Sequence, residues 1–578
     1  MSGSSMPVGS IDGPREKGCL LTDQGDRQGV VHTVMEICSG LRPRTASAMR
    51  LQTSPAPPQK IWQNHDWDYL QSKGVFELPS MEGCDSLIRD YFKHVHPLLP
   101  IIDASLFLSQ YVSKGVSSIN LLLLWSVFLA AANFSSPETL KAAGASSRKG
   151  LKRAMYTKAK ALYDSDYEDD KVCLVQSVTL LGFWYSDAED KNGPWHWLGI
   201  AVGLCQVMGL HRTPRLAVTK QSARLRQRLF RRIWWSCFMR DRWLSLGLGR
   251  PMRINIEDCD VQMPEVQDLT AELEQLAPEI ANEYLPSSMI AHETIWIKLI
   301  ELSHILGKIL RAEYRSTMSV LNNDCSRAHG AELEACQLPM DPETQSEDLW
   351  ITLNRLQFEM LREAAMVVLY RPAIDFQSPP NSSKDPIKLE ALQKARAAAA
   401  RTNRIVERLI GLDLVHYLRP MNLTAIVPAM QLHLLDCRSN RQLVRNLAWS
   451  KLGECMMVVS ELRETYWGAD FTFKLFEAAQ AILKTSDNQS AKENGDAHVC
   501  NPEGDSSNAH NNFAFASDTN NDYFQPEAFD ITDDSVFYLE QTYNDPLYGD
   551  TPNPLSVDPW SLDDFQKMLD MPFTGEDG

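Results

Sequence analysis

Between about Leu78 and Leu483 the apolar residues return at three- and four-residue spacings almost without a break, while the strict alternation of a half-buried strand is scarce. A chain patterned this way must bury helical stripes against one another, so the expected fold is all-α. Candidate helices fall at roughly 84–93, 103–113, 119–134, 137–143, 147–163, 169–185, 194–209, 219–247, 287–316, 346–371, 387–412, 421–436, 440–465 and 472–484. Several carry physical start signals. Ser136 before Pro137 and Asp385 before Pro386 place a capping oxygen ahead of a proline in the first turn. Ser346 precedes Glu347 and Asp348, whose charges suit a helix N-terminus. The helices are too uneven in length for a solenoid repeat, and the expectation is a large irregular multi-helix domain.

Two stretches interrupt this pattern. "GRPMRINIEDCDVQMPEVQD", residues 249–268, is punctuated by proline and should run extended over the helices, whereas residues 324–345 read as a surface loop. Residues 60–70, "KIWQNHDWDYL", hold aromatics without an assignable role. The apolar run at 119–134 is shorter than the roughly 20 residues a membrane span needs, so it reads as a buried core helix. The first thirty residues lack the pattern of a secretory signal, and the twelve cysteines show no paired spacing, which points to an intracellular chain with reduced thiols.

Charge divides the chain unevenly. From Asp487 to Gly578, twenty Asp and Glu face only Lys492 and Lys567, giving −18 and leaving +1 for the preceding 486 residues of a chain whose net charge is −17. Three regions follow: a flexible lead at 1–58 rich in Ser, Gly, Pro and Thr, an all-α body at 59–485, and a disordered acidic-hydrophobic tail at 486–578. The tail sets bulky apolar residues among acids, as disordered activation segments do. Its candidate anchors are Phe529, Phe537, Tyr538, Trp560, Leu562, Phe565, Leu569 and Phe573.

Motifs for chemistry are missing. No Cys-x-x-Cys knuckle or thiolate cluster is present, and His94 and His96 have neither the spacing nor the acid of a zinc helix. "GLGRP" at 247–251 follows a helix instead of a strand and lacks a third glycine. No phosphate loop or nucleophile elbow occurs, and the adjacent carboxylates read as solvated loops or helix starts. The sequence predicts neither a catalytic nor a metal site, and no cofactor.

The nucleic-acid candidate within the body is "RLRQRLFRR" at 224–232. On a helix it gathers Arg224, Arg228, Arg231 and Arg232 on one face and Leu225, Leu229 and Ile233 on another. A solvated charged face explains the same pattern. "RKGLKR" at 148–153 is likewise either a nuclear-import signal or a charged helix surface.

Three separated segments in one order, "YFKHVHPLLPIID", "GPWHWLGIAVGLCQVMGLHR" and "RRIWWSCFMRDRWLSLGLGRPMRINIEDCDVQMP", resemble the middle homology region of fungal-specific transcription factors over about 88–264. "VVLYRPAI" at 367–374 resembles a later element of that family. The signature residues suit structural work. Tyr91, Phe92, His96, Pro97 and Pro100 would set a helix-to-turn transition, and Trp195 and Trp197 would pack a helix closely on its neighbours. Trp234 and Trp235 would bury large aromatic areas, and Asp241, Arg242 and Arg250 could bond around a helix end that Gly249 and Pro251 terminate.

The resemblance implies a regulatory domain, 59–485, placed between a DNA-binding module and an activation tail, in a nuclear regulator of RNA polymerase II transcription that activates a metabolic or secondary-metabolite gene set. Implied partners are promoter DNA, directly or through another protein, coactivators, a second regulator chain in a homo- or heterodimer, and a small-molecule effector, with no membrane. Most relatives bind zinc through a six-cysteine cluster, and this sequence shows none. Three arrangements fit that departure: a cluster encoded upstream, a DNA-binding partner, or a modulator that pairs with a full-length relative. A helical metabolite sensor is the alternative reading.

Overall fold

The computed structural model describes residues 64–185, 192–213, 220–314, 323–339, 348–377 and 384–496, apart from the side chains of 64, 65, 313, 323 and 486–496. The lead at 1–58 and all eight tail anchors lie outside the described residues. Among the described residues there are eighteen α-helices and no strand, as the periodicity predicts.

The first half contains α1 (Asn64–Ser72), α2 (Met81–Asp90), α3 (Ala104–Lys114), α4 (Leu121–Ala131), α5 (Pro137–Ala142), α6 (Arg148–Asp164), α7 (Lys171–Leu181) and α8 (Pro194–Val207). The expected starts are visible as caps: Ser136 accepts from the Thr139 amide at 3.2 Å, and Ser80 from the Gly83 amide at 3.0 Å. After Asp90 the helix widens into a π turn over Tyr91–Val95 and tightens into a 3₁₀ turn over His96–Leu98, with Pro97 inside it. Leu122 to Ala131 are buried all round α4, so this helix is a central strut packed by α6 and α7. No helix of the described residues is long and apolar enough to cross a membrane.

The 28-residue α9 (Gln221–Leu248) joins the two halves, packing on α8 and on α12 (Met289–Glu313). It passes close to α16 (Pro420–Asp436), where a β-carbon on Gly247 would come within 2.7 Å of the Thr424 hydroxyl. Two short helices that the sequence reading did not anticipate, α10 (Gln267–Leu273) and α11 (Pro278–Tyr284), precede α12. The second half then stacks α13 (Asn323–Ala335), α14 (Leu349–Tyr370), α15 (Pro386–Gly411), α16, α17 (Gln442–Leu462) and α18 (Trp467–Asp496). Asp348 itself caps α14, accepting from the Trp350 and Ile351 amides at 2.7 and 3.2 Å, and Asp385 caps α15, accepting from Ile387 at 3.0 Å.

The loop expected at 324–345 is corrected: Asn323–Ala335 is helical, because Leu333 and Cys336 are buried and Gly330 lets the helix approach Tyr370, whose hydroxyl would stand 2.6 Å from a β-carbon there. Within 60–70, α1 buries Leu70 while Trp67 stacks on Phe76 at 5.3 Å.

Candidate functional site

The segment that follows α9 is extended and held down from one buried carboxylate. Gly249 adopts the left-handed conformation, φ +61°, and the Arg250 amide reaches back to the Ser245 carbonyl at 3.0 Å, which ends the helix and turns the chain over its last two turns. Asp241, fully buried, accepts from the Arg253 amide at 3.0 Å and the Ile254 amide at 3.1 Å and also pairs with buried Arg242. Further along, the Trp235 indole donates to the Gln262 carbonyl at 2.7 Å. Asp260 accepts from the Thr213 amide at 2.6 Å, and the amides of Asp260 and Val261 donate to the His211 carbonyl. Residues 249–266 are therefore a strap fastened along α9 by signature side chains.

The other tryptophans of the signature lie beside it. Trp195 is half-buried with the Arg253 guanidinium 4.2 Å above its ring and that of Arg250 at 5.8 Å. Trp197 donates to the Tyr156 hydroxyl at 3.3 Å, and Trp234 is fully buried.

Beneath α9 lies a charged centre. Arg232 is fully buried and pairs in two hydrogen bonds with Glu272 of α10, whose carboxylate also accepts from the Ala104 amide at the start of α3 at 3.1 Å. Arg231 reaches Asp268 at 3.1 Å, and Arg228 lies 3.9 Å from the same carboxylate. The basic stripe of the sequence reading is thus corrected: Arg232 faces the interior, and α10 answers the outward turn of Arg228 and Arg231 with an acid. Arg224 is exposed. The candidate import segment 148–153 is also consumed by the fold, since Lys149 pairs with Asp470 at 2.6 Å and fully buried Lys152 donates to the Thr465 carbonyl at 3.0 Å.

Burial in the same centre shifts titratable groups away from their charged forms. Burial, then the charge of Arg232, brings the His96 imidazole down to about 3, and neither ring nitrogen has a hydrogen-bond partner. Burial pushes Glu272 up to about 7 and Glu293 up to about 9; Glu293 accepts from the Leu269 amide at 3.0 Å. Tyr91 and Phe92 meet edge to face at 5.2 Å above His96. His94 is buried among Phe134, Trp350 and Tyr417, far from acting as a ligand. Pro97 and Pro100 are buried with the turn they shape. Among the described residues no group of three or more His, Cys, Asp or Glu could hold a metal ion.

Sequence reasoning missed Arg240 and Arg419. Arg419 donates to the His94 carbonyl at 2.6 Å and to the Asn354 side chain at 2.8 Å, which unites segments 325 and 65 residues apart; no local pattern carries that signal.

Residues 88–362 match the fungal-specific transcription factor domain. The match extends about a hundred residues beyond the 88–264 signature, through α12 and α13 into α14. The chain is 28% identical over 568 residues to cutinase transcription factor 1 beta of Fusarium vanettenii, covering 83% of this chain and 63% of that protein. It is 30% identical over 428 residues to cutinase transcription factor 1 alpha of the same organism, covering 72% and 45%. With the acetamidase regulatory protein of Aspergillus fumigatus it shares 25% identity over 442 residues, covering 75% and 52%. The chain thus spans between 45% and 63% of the length of these relatives, which are transcription factors and a regulatory protein, not enzymes. With its strap and buried charge centre inside the shared domain, the chain belongs to the fungal-specific transcription factor family.

Proposed function

We propose that this chain is a nuclear regulator of RNA polymerase II transcription that activates a metabolic gene set. The observation that carries this reading is the alignment with cutinase transcription factor 1 beta, which covers 83% of the chain and so extends past the shared domain. The names of the cutinase transcription factor and the acetamidase regulatory protein support a metabolic target, because each carries the name of an enzyme. In this reading the helical body serves assembly with DNA-bound partners or a second regulator chain, and the acidic-hydrophobic tail recruits coactivators. Acids keep its apolar anchors solvated and steer basic partners toward them.

The test is a reporter assay with the full chain and with a W560A/F565A/L569A variant. The reading expects the variant to lose most of the activation while the melting midpoint of the body stays where it was. Unchanged reporter output from a variant of normal abundance would remove these anchors from the mechanism.

A further inference from the structure

One cleft in the body is used by neither the strap nor the charge centre. It opens where the lead-in turn after α2, the end of α7, and helices α9, α12, α14 and α16 converge, and it has a cavity volume of about 60 Å³. That exceeds the roughly 10–15 Å³ that a single water requires. Its walls are mainly apolar, with Leu99, Trp243, Leu299 and Phe358 contributed by four different elements.

Two guanidinium groups interrupt those walls. Arg240 donates through Nη2 to the Gly182 carbonyl at 2.7 Å and lies 5.0 Å above the Phe183 ring. Arg419 points its Nη atoms at the His94 carbonyl and the Asn354 side chain and stands 6.0 Å from the Phe134 ring. Neither has a carboxylate partner among the described residues, although other half-buried or buried arginines of the same body do: Arg232 faces Glu272, Arg242 faces Asp241, and Arg396 faces Asp436. Each cation is instead held by carbonyl oxygens and ring faces, which fix its position without neutralising it. Burial also lowers the proton affinity of both groups, bringing Arg419 down to about 10.

An apolar cleft lined by two positioned, unneutralised cations is complementary to one kind of molecule. We propose that it binds a small organic carboxylate, with the carboxylate paired to Arg240 in the field of Arg419 and an apolar body against Trp243, Leu299 and Phe358. The planar fork of Arg240 has one hydrogen bond to Gly182 and further N–H donors to offer. The amides of Gln357 and Asn422, which line the same cleft, supply polar edges for a hydroxyl or second oxygen on the ligand. Such a ligand would join α9 to the start of α16 and to the lead-in turn, elements that belong to opposite halves of the body. It would stabilise that packing in proportion to its concentration. Its role as the effector of a transcription regulator rests on the function proposed above; its binding does not.

The experiment uses the full 578-residue chain, thermal denaturation and titration calorimetry, and a set of straight-chain carboxylates from acetate to decanoate with benzoate, each paired with its primary amide. At least one carboxylate is expected to raise the melting midpoint and to bind about tenfold or more tightly than its amide, as the loss of a charge-assisted pair implies. R240Q should weaken that binding by about tenfold with little change in the unliganded midpoint, and R240K should retain part of it. The proposal is overturned if no carboxylate in the set binds, if acid and amide bind equally, or if R240Q binds as well as the unaltered chain. The acid and amide comparison on the unaltered chain decides the matter should R240Q fail to fold. A chain that binds no carboxylate but occupies promoters loses the ligand and keeps the regulatory role, and the opposite pair of results separates them the other way.

Discussion

Glu293 shows how a single buried side chain sets a measurable property of the body. Its carboxyl is fully buried, accepts from the Leu269 amide, and is pushed up from an ordinary 4.5 to about 9, burial being the largest cause. A folded-state value above the unfolded one means that the folded chain holds a proton the unfolded chain releases. The stabilisation is therefore complete below about 4.5 and is lost as pH rises toward about 9. Within that window the group should contribute a decline of up to about 1.4 kcal/mol per pH unit. His96 works in the opposite direction, its value depressed to about 3, so its share of stability is lost on acidification below about 6.5. The E293Q variant, which keeps the shape and stays neutral, should show a flatter fall in melting midpoint between pH 5 and 9 than the parent chain. Parallel pH profiles for the two chains would contradict this assignment.

The strap is where a whole element depends on a few side chains. Its two amides at Arg253 and Ile254 are satisfied by Asp241, the same carboxylate that answers Arg242 in the interior. D241N should therefore leave a buried arginine uncompensated and lower stability by about 3–5 kcal/mol. It should also loosen the strap, so that trypsin cuts after Arg253 faster than in the parent chain. Equal cleavage rates would show that the strap is held by something other than Asp241. Much of this element was legible beforehand: Gly249 and Pro251 mark the helix end, and the proline-punctuated run after them reads as extended. The caps at Ser136 and Asp385 were legible for the same reason, since the capping residue and its proline adjoin in sequence. The inward turn of Arg232 was not. Its partner Glu272 lies 40 residues downstream, on a short helix the periodicity did not reveal, and a helical wheel of α9 alone cannot say which neighbour brings an acid. The helix at Asn323–Ala335 was missed because its Gly, Ser and Cys content reads as loop, although burial of Leu333 and close passage of Tyr370 decide its state.

At the scale of the whole molecule, an almost neutral stretch of 486 residues, lead and body together, precedes a segment carrying −18. The fold class and the family were legible because they depend on periodicity and on ordered motifs. The cleft with Arg240 and Arg419 was not, because it is assembled from residues between Val95 and Thr424. The central claim is that this chain acts at promoters as a transcription regulator. The most direct measurement is the chromatin occupancy of the tagged 578-residue chain in its own host. The account predicts discrete peaks at the promoters of a metabolic gene set, whether the DNA is gripped by this chain or by a partner. A folded, abundant chain that gives only uniform background across the genome would contradict it.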